Sequence, residues 1–121
     1  NDLIILYPTY PERTIADIDN IYNVYVKKNF KSMLCAKKVK THPYMCLKKE
    51  EGMLASQIFK HDLYRRQDYP DCFEISHFVV IINSQEIKNV NNQMYNDATG
   101  FYSIDDKIDV DYIEDLNNFV K

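Results

Sequence analysis

Apolar positions follow distinct rhythms along this chain, and each rhythm predicts a different element. Leu3-Ile4-Ile5-Leu6-Tyr7 is an unbroken apolar run, which predicts a strand buried on both faces, as in a parallel sheet. Phe78-Val79-Val80-Ile81-Ile82 repeats that signature and predicts a second buried strand. Between them Ile15, Ile18, Ile21, Tyr22, Tyr25 and Val26 recur at helical spacing, so a helix capped by Thr14 is expected to run to about Asn29. Its stripe reads as core packing rather than a cofactor surface. From Ser32 to Val39 the chain alternates, with Met33 and Cys35 set against Ser32, Leu34 and Ala36. Strand, helix and strand then make a βαβ unit with a right-handed crossover.

The rhythm breaks at Thr41-His42-Pro43. Tyr44 to Lys49 and Met53 to Phe59 read as short strands or extended arms around a turn at Glu50-Glu51-Gly52. Met45, Met53, Leu54, Ile58 and Phe59 suit either a partner chain or a hairpin folded on its own domain. Arg65-Arg66-Gln67-Asp68-Tyr69-Pro70 reads as a ligand clamp or a surface loop. Ser84 to Ile87 suggests a helical turn, Asn89 to Asp97 a polar loop, and Phe101 to Ile104 leads into Ile108-Asp109-Val110-Asp111. Alternation along that last stretch puts Asp109 and Asp111 on one face, roughly 6–7 Å apart. Two carboxylates so placed can share a hard cation such as Mg²⁺. Equally, Asp111 can be a helix cap and Asp109 a solvated charge.

Composition narrows the chemistry. The chain has 121 residues, of which 45% are hydrophobic and 27% charged, which suits one modest folded domain. Gly52 and Gly100 are its two glycines, so a glycine-rich phosphate loop is excluded within this segment. A net charge of −3 argues against a general nucleic-acid binder. The charge is uneven, however. Lys27 to Lys49 holds lysines and no acid, while Asp97 to Asp115 is mostly acidic. Two solvated faces of opposite sign, or lysines near an anionic ligand or partner, both fit. Cys35, Cys46 and Cys72 have no metal-like spacing and fit a reducing cytosol, and His77 with Cys72 gives too few ligands for zinc. No targeting signal or membrane-length apolar run stands out. The chain starts at Asn1 and runs directly into a strand-like segment, so it reads as a piece of a longer protein.

Pro8-Thr9-Tyr10-Pro11-Glu12-Arg13 ends the first strand with a stiffened loop. Ligands of open α/β sheets sit beyond the carboxyl ends of strands, so Thr9 and Arg13 could floor an anionic site. Arg13 has the planar fork that carboxylate or phosphate needs. An ordinary strand-to-helix turn is the plain alternative.

Four stretches together resemble the C-terminal half of the acylneuraminate cytidylyltransferases, the CMP-sialic acid synthetases. Leu6 to Arg13 is similar to that family's Gln-Pro-Thr-Ser-Pro-Leu-Arg loop. His42-Pro43 matches the pair that opens its dimerisation arm. Arg66-Gln67, followed by Pro70 and Phe73, is similar to the segment whose arginine helps hold the sugar. Ile108-Asp109-Val110-Asp111, then Glu114-Asp115-Leu116, looks like its Asp-Ile-Asp magnesium pair with a Glu-Asp-Leu helix start.

The resemblance implies an α/β fold of the nucleotide-diphospho-sugar transferase type. That is a three-layer sandwich with a mainly parallel sheet, incomplete here because the N-terminal nucleotide-gripping half lies upstream of Asn1. Residues 1–121 would be the C-terminal part of one domain, with 40–69 a homodimerisation arm. It implies a cytoplasmic enzyme joining CMP from CTP to an acidic 2-keto sugar, with Mg²⁺ on Asp109 and Asp111 as the catalytic pair. Tyr7, Thr9, Arg13, Arg66 and Ser76 would bind substrate. No nucleic acid or membrane partner is implied, and the segment alone should be inactive.

Departures gather in the sugar pocket. Tyr7 replaces a glutamine, Ser76-His77 stands for Asn-Gly, Val80 stands where tyrosine is frequent, and Glu74 stands where a basic residue is common. They admit a different acceptor, such as pseudaminic, legionaminic or 3-deoxy-octulosonic acid. They equally admit a non-catalytic dimerisation or regulatory module of the same fold.

Overall fold

A computed structural model describes residues 1–104 of the chain; residues 105–121, and with them Asp109 and Asp111, lie outside the described residues. The described residues divide into two compact units, 1–37 with 75–104, and Lys38–Glu74.

In the first unit the chain enters as β1 (Asp2–Ile5) and turns through Pro8–Arg13 into α1 (Ile15–Lys27). Thr14 caps this helix with a complete box. Its hydroxyl accepts from the Asp17 amide at 3.1 Å, and its own amide donates to the Asp17 carboxylate at 2.9 Å. Asn29, at φ 58°, ends the helix in the left-handed region. There the Phe30 amide bonds the Tyr25 carbonyl and the Asn29 amide bonds that of Val26, the paired pattern of a Schellman stop. Ile21 and Tyr25 form the buried face of α1, whereas Ile15 and Val26, at the margins of the predicted stripe, are exposed.

β2 (Ser32–Lys38), β5 (Phe73–Asn83) and β6 (Gly100–Ser103) complete a four-stranded sheet in the order β1-β5-β2-β6. β1 pairs antiparallel with β5, Ile5 opposite Val80, and β6 pairs parallel with β2, Gly100 opposite Met33. The Asn83 amide, ending β5, bonds the Lys31 carbonyl just before β2, so β5 also runs against β2.

The described sheet is therefore mixed rather than mainly parallel. β1, α1 and β2 do form strand, helix and parallel strand, but reversed β5 lies between the two strands. The cause is visible in the connection. Residues 39–72 contain no α-helix, and a parallel return would need a crossover of that kind. β1 is an edge strand of the described sheet, so Leu3, Ile4 and Leu6 are about two-fifths exposed instead of buried on both faces.

The core has two parts. Tyr10, Ile21, Tyr25, Met33, Cys35, Phe78, Val79 and Ile81 pack together, and Leu34, Val80 and Ile82 form a second cluster. Each such side chain contributes about 1.5–3 kcal/mol by leaving water. Polar side chains are paired both inside this core and at its margin. Ser32 and Thr99 share a 2.7 Å hydrogen bond, and the Tyr22 and Tyr25 phenols donate to the two oxygens of Asp2 at 3.1 and 2.8 Å. Gly100 is buried where a Cβ would overlap the Phe30 ring.

The second unit is an open arrangement. β3 (Leu47–Lys49) and β4 (Ala55–Gln57) make an antiparallel hairpin around the predicted turn, where Gly52 and Met53 both take positive φ. The remainder is short turns at Pro43–Met45 and Arg66–Asp68 joined by extended chain. A cluster of His42, Tyr44, His61 and Tyr69 rings gathers these segments, Tyr44 stacking on His61 at 4.2 Å.

Candidate functional site

In the first unit the stiff loop after β1 is drawn onto the start of β5. Tyr10 is the anchor. Only 8% exposed, it shares a hydrogen bond of 3.2 Å with Ser76 Oγ and meets the Phe78 ring edge-on at 5.4 Å. Arg13 Nη1 donates to the Phe78 carbonyl at 2.9 Å. Tyr7 stacks on His77, with centroids 5.1 Å apart and planes 10° from parallel. His77 Nε2 lies 2.9 Å from the Gln93 carbonyl.

Four predicted binding residues thus fall in or against one loop. Ser76 and Arg13 are already engaged by the protein, and Ser76 is 5% exposed, so both act first as fasteners of the loop. Thr9 and Tyr7 are half-buried, and neither side chain makes a hydrogen bond to another described residue. Tyr10 was not singled out by sequence, because a tyrosine between prolines carries no periodic signal. A cavity of about 200 Å³ lies on the helix side of this unit, lined by Asp17, Asn20, Ile21, Phe78 and Tyr102–Ile104.

Cys35 is deep in the same unit. Burial pushes its thiol up to about 11, so it stays protonated and unreactive at neutral pH. Burial also raises Tyr25, with Asp2 adding to the shift. The hydrogen bond to Asp2 raises Tyr22.

In the second unit Arg66 borders a concavity of about 570 Å³ with Lys38, Lys40, His42, Tyr69 and Asp71. That volume suits a sugar- or nucleotide-sized ligand. The side chains of Lys38, Lys40 and Arg66 make no hydrogen bond or ion pair with other described residues. Among the described residues Asp71 is the one carboxylate on this lining, so the field they set there is cationic. His42 adds no charge in its bonded form. Its Nδ1 accepts the Tyr44 amide at 3.0 Å and its Nε2 meets the Pro70 carbonyl at 2.7 Å. Lys38 and Lys40 were legible only as members of a long lysine-rich window.

Among the described residues no group of three or more His, Cys, Asp or Glu side chains could hold a metal. The predicted pair, Asp109 and Asp111, lies outside them. No described helix is long and apolar enough to cross a membrane. No protein-family model matches the chain, and no curated protein is significantly similar to it.

Proposed function

We propose that this chain is the acceptor-binding and dimer-forming segment of a cytidylyltransferase that joins CMP from CTP to an acidic 2-keto sugar. The observation that carries the reading is the concavity around Arg66. The Lys38, Lys40 and Arg66 side chains, which have no partner among the described residues, line a space of sugar size, and an acidic sugar offers a carboxylate that suits them. The stiff loop of Tyr7 to Arg13, fastened to Ser76 and Phe78, supplies a second preorganised surface in the other unit.

Asp109 and Asp111 are the proposed Mg²⁺ ligands, since a pair of carboxylates suits a hard cation. When bound, the ion would neutralise charge on the triphosphate. Met45, Leu47, Met53, Leu54, Ile58 and Phe59 are exposed in the second unit, which supports a homodimer contact there. The free cysteines support a reducing, cytoplasmic setting. The Tyr7–His77 stack favours a second reading, an acceptor other than sialic acid, because two of the altered pocket positions fill space together.

Calorimetric titration of sialic acid into the chain tests the reading. Saturable binding, weakened about fivefold or more by Arg66→Ala, is expected. Absence of binding by sialic, pseudaminic, legionaminic and 3-deoxy-octulosonic acids alike would overturn it. Light scattering should report a dimer that Leu54→Asp or Phe59→Asp dissociates.

A further inference from the structure

Two of the three histidines have both ring nitrogens engaged by backbone. His42 accepts from the Tyr44 amide and meets the Pro70 carbonyl; His61 accepts from the Leu63 amide at 3.2 Å and meets the Tyr44 carbonyl at 3.2 Å. An amide can only donate and a carbonyl only accept, so each ring is the Nε2–H tautomer with nothing left to offer. These are packing histidines.

His77 differs. Its Nε2 faces the Gln93 carbonyl at 2.9 Å and must carry the proton. In the neutral ring Nδ1 then keeps a lone pair, and this nitrogen makes no hydrogen bond among the described residues. The ring is nevertheless held twice, by Gln93 and by the parallel stack on Tyr7. Both rings are half-buried, and the Tyr7 hydroxyl also lacks a hydrogen-bond partner among the described residues. A clamped aromatic pair with an idle acceptor and an idle hydroxyl therefore stands where the Pro8–Arg13 loop begins. Rigid side chains with unsatisfied polar atoms at a half-buried surface are what a polar ligand requires, since their ordering cost is already met.

We infer that Tyr7 and His77 form one wall of a binding site for a polyhydroxylated ligand, with His77 Nδ1 accepting a hydrogen bond from a ligand hydroxyl. The ligand class, a sugar acid, rests on the proposed function. The contact itself rests on the ring geometry. The Tyr7 ring supplies the apolar face against which a sugar's C–H groups pack, and its hydroxyl supplies a second polar contact.

The test is a ¹⁵N-histidine spectrum of the whole chain titrated with sialic acid, and separately with pyruvate, which has the keto-acid end but no polyol. Sialic acid should move the His77 Nδ1 resonance and leave the nitrogens of His42 and His61 in place; pyruvate should not move His77. His77→Gln retains a donor toward Gln93 but lacks an acceptor at Nδ1, and should weaken sialic acid binding about threefold to tenfold. His77→Asn, with an oxygen near the Nδ1 position, should keep more of the affinity. Binding that shifts the amides around Arg66 while His77 Nδ1 stays fixed overturns this inference and leaves the sugar-acid reading standing. Silence at both places with sialic, pseudaminic, legionaminic and 3-deoxy-octulosonic acids alike removes both. The wild-type titration decides the matter even if a variant fails to fold.

Discussion

Residues 1–37 with 75–104 and residues 38–74 are held by different forces. In the first set Leu34, Cys35, Val79, Val80 and Ile81 are fully enclosed, and their removal from water is the main source of stability. In the second no residue is buried. Its order comes from the His42–Tyr44–His61–Tyr69 rings, their bonds to backbone, and one short hairpin. Such directional contacts are each worth about 0.5–1.5 kcal/mol, so the second unit should open well before the first. The difference suits the proposed roles. A rigid sheet can fix a loop, while an exposed arm can adapt to a partner.

The largest effect should come from the enclosed sheet. Ile81→Ala removes a fully buried side chain and should lower stability by about 2–5 kcal/mol in urea denaturation, whereas Met53→Ala, at a residue 99% exposed, should stay within about 0.5 kcal/mol. Equal costs would abolish the contrast.

Alkali should also act on the first unit. Folding raises the Cys35 thiol from 9.0 to about 11, so the unfolded chain loses this proton first. The stability it contributes is complete below pH 9 and is lost as pH rises to about 11, about 2–3 kcal/mol in all. Tyr22 and Tyr25, both raised, push the same way above their ordinary range. Urea midpoints from pH 8 to 11 should fall accordingly, and less steeply in Cys35→Ala. Gly100→Ala, set against Phe30, should cost about 1–3 kcal/mol in the same assay.

His61→Ala removes a ring stack and bonds to two backbone groups. Hydrogen exchange should quicken within Lys38–Glu74, by about 1–2 kcal/mol of local stability, and leave the β5 amides from Val79 to Ile82 protected. Loss of protection in β5 would mean that the two sets of forces are not separate. The smallest change is Asn29→Gly, which relieves the left-handed helix stop and should add about a few tenths of a kcal/mol of stability, seen as a slightly higher melting temperature.

Much of the framework was legible because local rules and packing agree. The helical stripe and Thr14 mark α1, the Phe78–Ile82 run marks the centre of β5, and Gly52 marks the hairpin. The place of β5 between β1 and β2 was not legible, because an apolar run says that a strand is buried but not which neighbours bury it. Side-chain partners were harder still. Arg13 and Ser76 have the chemistry of ligand-binding residues, and only the fold reveals that Phe78 and Tyr10 already engage them. His77 was visible as an altered position. Its spare nitrogen depends on Gln93, sixteen residues away, which no spacing rule connects to it.

The reversed strand in the middle of the sheet also sets a timetable. β1, α1 and β2 leave the ribosome before β5, which must slide between the two earlier strands to give each a main-chain neighbour. At about 5–20 residues per second, the nascent chain holds Leu34 without its later cluster partners Val80 and Ile82 for several seconds. That interval is when a chaperone would find this polypeptide, and a pause in translation between codons 39 and 72 would lengthen it.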